Sequence, residues 1–525
     1  MLPGAFEYAL CYGIDHERDL SEFAQRFRTD EGGAPAYAPA LLRKIILLAY
    51  WRGLVSSRAR ESACQQHGLF MAVGGGATPH CTPLATFVST GGEALGQLFT
   101  QGLRVCDRQG LIGRQLLAID GVKLPSTAPK ARSGPRQELR SEAQKSERAV
   151  HRMLARHRQE DLTHTCEPSW RTREVRQGER LKQEAEKMRT WLRTHPEDRR
   201  GVRRGIRKSN CTDNESAQMA TGKGVIPGYT GVAVVDEKHQ IIVDAQAQGV
   251  GQEQELLLPG MEAVHAWRAE ATVITADAGY DSEDNRKQLA ARGIDASVPD
   301  NGYRKRDLCY NGQEQHRRQP VPLYNKGAVA ATPRLLRSPD FPLAADHSHC
   351  VGPAGERLYR NGHHRDLRGF VALKCTGRKS AWGRCLVRAR CLRTPPLTPV
   401  RQVAVGLGPT AGKPAAHTAR RKRKIDSPTG KAMSTRRFAT AAPVFGHLRH
   451  NKRLSRFTLR GRPKVDGQWK LYGLVHNLEQ LAHHGYGKGA QKVRNTNRER
   501  PSPPRCRGAS RFCTEAPPLT EKRSF

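Results

Sequence analysis

Apolar residues recur along this chain with two periods. Up to about residue 105 the spacing is helical. Ala40-Leu-Leu-Arg-Lys-Ile-Ile-Leu-Leu-Ala-Tyr-Trp predicts a core helix stopped by Gly53, and Ser56 and Ser57 offer N-caps to a second helix, Arg58-Ala-Arg-Glu-Ser-Ala-Cys-Gln-Gln. Two short helices across a Gly-containing turn have the outline of a helix-turn-helix, and equally that of a plain packing pair. Past residue 105 short apolar runs predict strands. A strand over 115–120 ends at Asp120, and a long charged insertion, about 130–208, follows. Its stripe of Leu181, Ala185, Met188, Trp191 and Leu192 predicts a helical hairpin.

Gly228-Tyr-Thr-Gly-Val-Ala-Val-Val and Gln240-Ile-Ile-Val-Asp-Ala-Gln, around Asp236-Glu-Lys-His, predict an antiparallel hairpin. A strand over 272–277 then ends at Asp277. Asp281 and Ser282 can cap a short helix that Gly293 ends, and Ile294-Asp-Ala-Ser-Val predicts a strand parallel to the last. A strand, a hairpin and a β-α-β unit in that order predict an α/β fold with an RNase H-like mixed sheet core. The pattern weakens from about 300 to 420 and recovers at Arg436. Val465, Trp469, Tyr472, Val475, Leu478 and Leu481 mark an amphipathic helix. The expected division is an all-helical N-terminal domain over 1–105, the α/β domain over 106–485 with insertions at about 130–208 and 300–420, and a basic disordered tail over 486–525.

Charge sharpens this picture. Lys and Arg number 88 against 50 Asp and Glu, a net charge of +38. Such an excess opposes compaction, so a phosphate backbone is the expected partner. No stretch approaches the roughly 20 apolar residues of a membrane helix. The N-terminus has no secretory pattern, and the 13 scattered cysteines do not resemble a disulfide framework. A cytoplasmic, nucleoid-associated protein with reduced thiols is expected, with no membrane partner. Asp120 and Asp277 each end an apolar run and precede a turn. In so basic a chain, two such carboxylates suggest divalent metal held beside a polyanion, the layout of phosphoryl transfer on nucleic acid. The plainer alternative is that both cap turns.

Five motifs in order, Ala118-Ile-Asp-Gly-Val-Lys-Leu-Pro, Thr212-Asp-Asn-Glu-Ser-Ala, Gly228-Tyr-Thr-Gly, Thr275-Ala-Asp-Ala-Gly-Tyr and Pro443-Val-Phe-Gly-His-Leu-Arg-His-Asn-Lys-Arg-Leu, carry a resemblance over most of residues 5–485. The chain resembles bacterial insertion-sequence transposases of the DDE type, in a subgroup with a cysteine-bearing insertion. The resemblance implies two Asp and one Glu holding two Mg²⁺ ions about 4 Å apart, one activating water or a 3′-hydroxyl and the other stabilising the leaving oxygen. It makes Asp120 the first acid and Asp277 the second. The third belongs directly before Pro443, where this chain has Ala442; Glu479 lies on the following helix and is expected on its solvated face. The copy is therefore expected to be impaired in cleavage and strand transfer, the alternative being a non-catalytic DNA-binding remnant or competitor of intact transposase.

Double-stranded DNA, as terminal inverted repeats and target, is the implied partner, and a homo-oligomer on DNA is compatible with it. Between Ala415 and Lys464 stand 15 Lys or Arg and one acid. Arg436, Arg437, Arg449, Lys452 and Arg453 surround the third-acid helix in the family layout and are expected to contact phosphates. The run Arg420-Arg-Lys-Arg-Lys reads equally as a solvated tail. In the insertion, Cys350, Cys385 and Cys391 remain, but the expected partner positions hold Gly352 and Trp382. Three cysteines with His347 or His349 are weak zinc candidates, and zinc is not expected.

Overall fold

The computed structural model describes residues 4–16, 37–163, 168–201, 205–221, 224–307, 335–362, 365–366, 370–395, 397–409 and 415–486. The tail expected from 486 lies, after Tyr486, outside the described residues. The first segment folds as α1 (Phe6–His16), α2 (Pro39–Trp51), α3 (Ser57–Gln66), α4 (Gly68–Val73), α5 (Cys81–Thr90) and α6 (Gly92–Arg108). Helix α2 ends where Gly53 takes a φ of +70°, with Leu54 N–H donating to Ala49 O at 2.8 Å, a glycine-terminated close. Ser56 caps α3 by accepting from Ala59 N at 3.2 Å.

The main sheet follows. It is built from β1 (Leu116–Pro125), β2 (Ala217–Thr221), β3 (Gly224–Asp236), β4 (Ile242–Gln248), β5 (Val273–Ala276) and β6 (Ala296–Ser297). The order is β6-β5-β1-β3, and the outer edge of β3 is shared by β2 and β4. Strand β3 is antiparallel to β1, and β5 and β6 run parallel to it. Between β1 and β2 stand two long helices, α7 (Arg136–Thr163) and α8 (Pro168–Thr194). Ala185, Met188 and Trp191 of α8 are buried, and Arg189 pairs with Glu147 and Arg156 with Glu174 across the two. Helix α9 (Leu257–Ala263) follows β4, and α10 (Glu283–Ala291) joins β5 to β6.

The weakly patterned stretch from 300 to 420 contains a second sheet, which periodicity missed. It comprises β7 (His349–Val351), β8 (Arg357–Arg360), β9 (Arg365–Asp366), β10 (Phe370–Gly377) and β11 (Gln402–Pro409). All its pairings are antiparallel. Its small separate core holds Phe341, Cys350, Leu358, Leu373, Cys375, Trp382 and Val403. Short strands bury too few residues each for alternation to stand out: in β8 only Leu358 is buried.

The chain then forms α11 (Ala415–Asp426), α12 (Pro428–His450) and α13 (Arg462–His483). All six apolar positions named for α13 are buried. The helix lies against edge strand β4 and satisfies its backbone: Ile242 N–H donates to Asn477 Oδ1 and Asn477 Nδ2 to Ile242 O, both at 2.8 Å, while Ala247 N–H donates to Asp466 Oδ1 at 2.8 Å. These bonds cover both ends of an otherwise open edge. One continuous core runs from Phe6 to Tyr486, so the N-terminal helices pack on the same apolar mass as the sheet.

Two of the five motifs make structural contacts. Tyr229 Oη donates to Asp213 Oδ1 at 2.6 Å, and Gly461 N–H reaches the same oxygen at 3.2 Å. Glu215 accepts from Arg462 N at 2.7 Å. The Thr212–Ala217 loop thus fixes the start of α13. A Cβ at Gly231 would stand 3.1 Å from the Trp469 indole, whose Nε1 donates to Val232 O at 2.7 Å. Glycine there lets the helix lie close on the strand.

Candidate active site

Register brings the two aspartates together. The parallel pairing of β1 with β5 ends at Ile119 opposite Ala276, so the next residues, Asp120 and Asp277, stand level on neighbouring strands. Strand β5 stops there, but β1 does not. It continues to Pro125, paired with β3 throughout, which corrects the expected end at Asp120. Gly121 is no terminator. A Cβ there would be 3.0 Å from Tyr280 Oη and 3.2 Å from Thr230 Cγ2, so the glycine makes room for a close neighbour. Both aspartates also make local turn contacts: Asp120 Oδ1 accepts from Gly121 N at 2.8 Å, and Asp277 Oδ1 from Gly279 N at 2.9 Å.

Burial raises the Asp120 carboxyl above the ordinary range; Arg437 opposes this, and the charges of Asp277 and Glu253 add to it. Arg437 Nη1 stands 3.3 Å from Asp120 Oδ2. Sequence reasoning missed two members of this group. Glu253, in the turn after β4, pairs with Lys123 at 3.1 Å. Tyr280 is fully buried, and its hydroxyl has no hydrogen-bond partner among the described residues. The available signal for Glu253 was weak: an acid in Gly251-Gln-Glu-Gln-Glu, several residues past the predicted strand over 240–246.

Helix α12 crosses the sheet above the acids. Ala441 packs on Leu116 and Ala118. A cleft of about 620 Å³ opens beside it, lined among others by Asp277, Gly279, Tyr303, Arg304, Arg437 and Phe438. Ala442 is half-buried and not among the residues lining it. No carboxylate from α12 enters the group, because the helix Pro428–His450 contains neither Asp nor Glu.

The five basic residues part company. Arg449 and Arg453 are exposed. Arg436 is held by Glu237, with Nε 2.6 Å from Oε1, and Arg437 by Asp120. Lys452 corrects the expectation of a phosphate contact: it is only 2 % exposed, with Nζ 2.9 Å from Glu479 and 5.2 Å from the centre of the Trp51 ring. Glu479 is corrected with it. Far from lying on a solvated face, its carboxylate accepts from Trp51 Nε1 at 2.9 Å and Lys452 Nζ at 2.9 Å, and meets His447 Nε2 at 2.6 Å.

Among the cysteines, Cys350 and Cys391 are buried in the core of the second sheet, and Cys385 packs against it. The sulfur nearest Cys350 that sequence reasoning did not name is Cys375, at 3.2 Å. Trp382, 1 % exposed, fills the same core, and burial pushes the Cys350 thiol up to about 12, as does its neighbour Cys375.

Two transposase DDE domain models match the chain, over residues 189–337 and 351–482, and a transposase domain model matches residues 2–90. No curated protein sequence matches it. Among the described residues no helix is long and apolar enough to cross a membrane. The three matches run in order along a mixed α/β chain in which Asp120 and Asp277 stand side by side, and the chain belongs to the DDE-type transposases of insertion sequences, enzymes that act on DNA and typically use divalent metal ions.

Proposed function

We propose that this chain binds the terminal inverted repeats of its element as double-stranded DNA, through an RNase H-like core whose Mg²⁺ chemistry is impaired. The observation that carries the reading is the level pair Asp120 and Asp277 beneath a helix without acids. A central β1 flanked by antiparallel β3 and β4 on one side and by parallel β5 and β6 on the other supports the core assignment. We read residues 1–105 as a helical DNA-binding portion and 106–485 as the catalytic portion carrying the insertions.

The donor set suits a hard divalent cation. It offers carboxylate oxygens in a partly buried place where their charges repel, beside a buried hydroxyl without a partner among the described residues. Asp120 and Asp277 would hold the ion, and its chemistry when bound is to lower the barrier to in-line displacement at phosphorus. Arg437 orients Asp120 and faces the cleft from α12. The missing acid at Ala442 leaves the set short, and this favours a second reading in which the chain occupies element ends without cutting them and competes with intact transposase.

Arg449 and Arg453 take the phosphate-contact role. The aliphatic stem of Arg453 passes over Gly53, where a Cβ would lie 2.9 Å from its Cδ, so a bulky side chain at 53 would displace it. Replacing both arginines with alanine is expected to weaken binding to inverted-repeat DNA and to flatten the log–log salt slope by about 2, at ~0.9 per phosphate contact. Titrations of labelled end DNA between low and physiological salt read this directly. An unchanged slope would remove the assignment, and equal affinity for shuffled DNA would remove end recognition.

A further inference from the structure

The turn after β4 brings a third carboxylate to the site from a direction unrelated to α12. Glu253 opens a short turn of residues 253–255, and the turn is fixed in place. Asn285 of α10, buried, donates from Nδ2 to Gln254 O at 2.7 Å and to Tyr280 O at 2.8 Å. One amide thus ties the Glu253 turn to the Asp277–Tyr280 turn. A Cβ added at Gly279 would collide with Glu253 Oε2 and stand 3.0 Å from Asp277 Oδ1, so the two carboxylates flank the same bare glycine. Glycine at 279 is what lets them approach.

Neighbouring carboxylates repel, and protein cations offset this only in part where three of them meet. On the outer side Lys123 faces Glu253 and Arg437 faces Asp120. The inner side is marked independently by Tyr280: its side chain is fully buried, and its hydroxyl lies beside Gly121 with no partner among the described residues. A buried hydroxyl without a partner costs on the order of 1–3 kcal/mol. Its position among three carboxylates points to an oxygen-liganded cation or that cation's water.

We propose that Glu253 supplies a third carboxylate oxygen, with Asp120 and Asp277, to a divalent-cation site that persists in this chain although position 442 is alanine. This rests on the reading of Asp120 and Asp277 as metal ligands. It separates two properties that an intact acid set would combine: cation binding, which Glu253 sustains, and turnover, which needs an acid on the helix that carries the basic residues.

The test is Mn²⁺ binding to the purified full chain, followed by calorimetry and by the electron paramagnetic signal of free Mn²⁺. Glu253→Gln is expected to weaken Mn²⁺ binding about tenfold or more, as are Asp120→Asn and Asp277→Asn. Glu253→Asp, which keeps the charge, should recover part of the loss, and Lys123→Met should keep or raise affinity. If Glu253→Gln binds Mn²⁺ like the unaltered chain while the two aspartate variants lose it, the proposal fails and the two-aspartate site stands. If Glu253→Asp loses as much as Glu253→Gln, the effect is packing and the proposal fails. If none of the acid variants changes binding, both readings fall.

Discussion

Ala442→Glu is expected to raise Mg²⁺- or Mn²⁺-dependent cleavage and strand transfer on element-end DNA by about 10²-fold or more. That is the range in which one preorganised electrostatic group at a reacting centre matters. Ala442→Gln, nearly the same shape without the charge, should stay at the level of the unaltered chain. The comparison is made with donor DNA carrying both inverted repeats, in either metal. Full activity of the unaltered chain would defeat the reading of impairment, and so would an equal gain in the glutamine variant.

The physical basis is the composition of α12. A methyl group offers no lone pair, and the helix has no other acid to substitute for it. What α12 does present to Asp120 is Arg437. A guanidinium beside a carboxylate competes with a metal for the same oxygen.

The parts legible in the sequence are those where one residue dictates local geometry. Gly53 and Ser56 marked a helix end and the next start, because an αL close and an N-cap each depend on a single side chain. Helix α13 was legible because its whole apolar face is buried. Asp120 and Asp277 could be found as acids next to apolar runs, but their equal level needed the β1–β5 register, which no local pattern encodes. Glu253 was invisible for the same reason, being brought in by Asn285 across a connection. The second sheet was missed because most of its strands are too short to show alternation. Lys452 and Glu479 were misread together: a basic run looks solvated until one member has a buried acid waiting on another helix, 27 residues on. Periodicity reports which face of one element is apolar, not which two polar residues from different elements share a pocket.

That buried pair carries the largest expected effect on stability. Burial alone would raise the Glu479 carboxyl, but hydrogen bonds from His447, Lys452 and Trp51 outweigh it and hold it at about 2, against an ordinary 4.5. For Lys452 the balance goes the other way: burial lowers its ammonium despite the pairing with Glu479. The cluster is therefore centred on the carboxylate, which three donors serve, while the lysine has one acid. With its folded value depressed, Glu479 contributes stability that is fully present above its unfolded value and is lost as pH falls from about 5 towards 2, a loss on the order of 3 kcal/mol. Glu479→Gln leaves the Lys452 ammonium buried and unpaired, at a cost of about 3 kcal/mol or more. This should lower the melting temperature at pH 7 by about 3 °C and remove the steep loss of stability below pH 5. The double variant Lys452→Met, Glu479→Gln should recover much of the loss, because no lone charge remains buried. The same double variant settles the role of the lysine. If Lys452 is an internal partner, DNA affinity and salt slope stay as they were; a slope lower by about 0.9 would return it to the phosphate backbone.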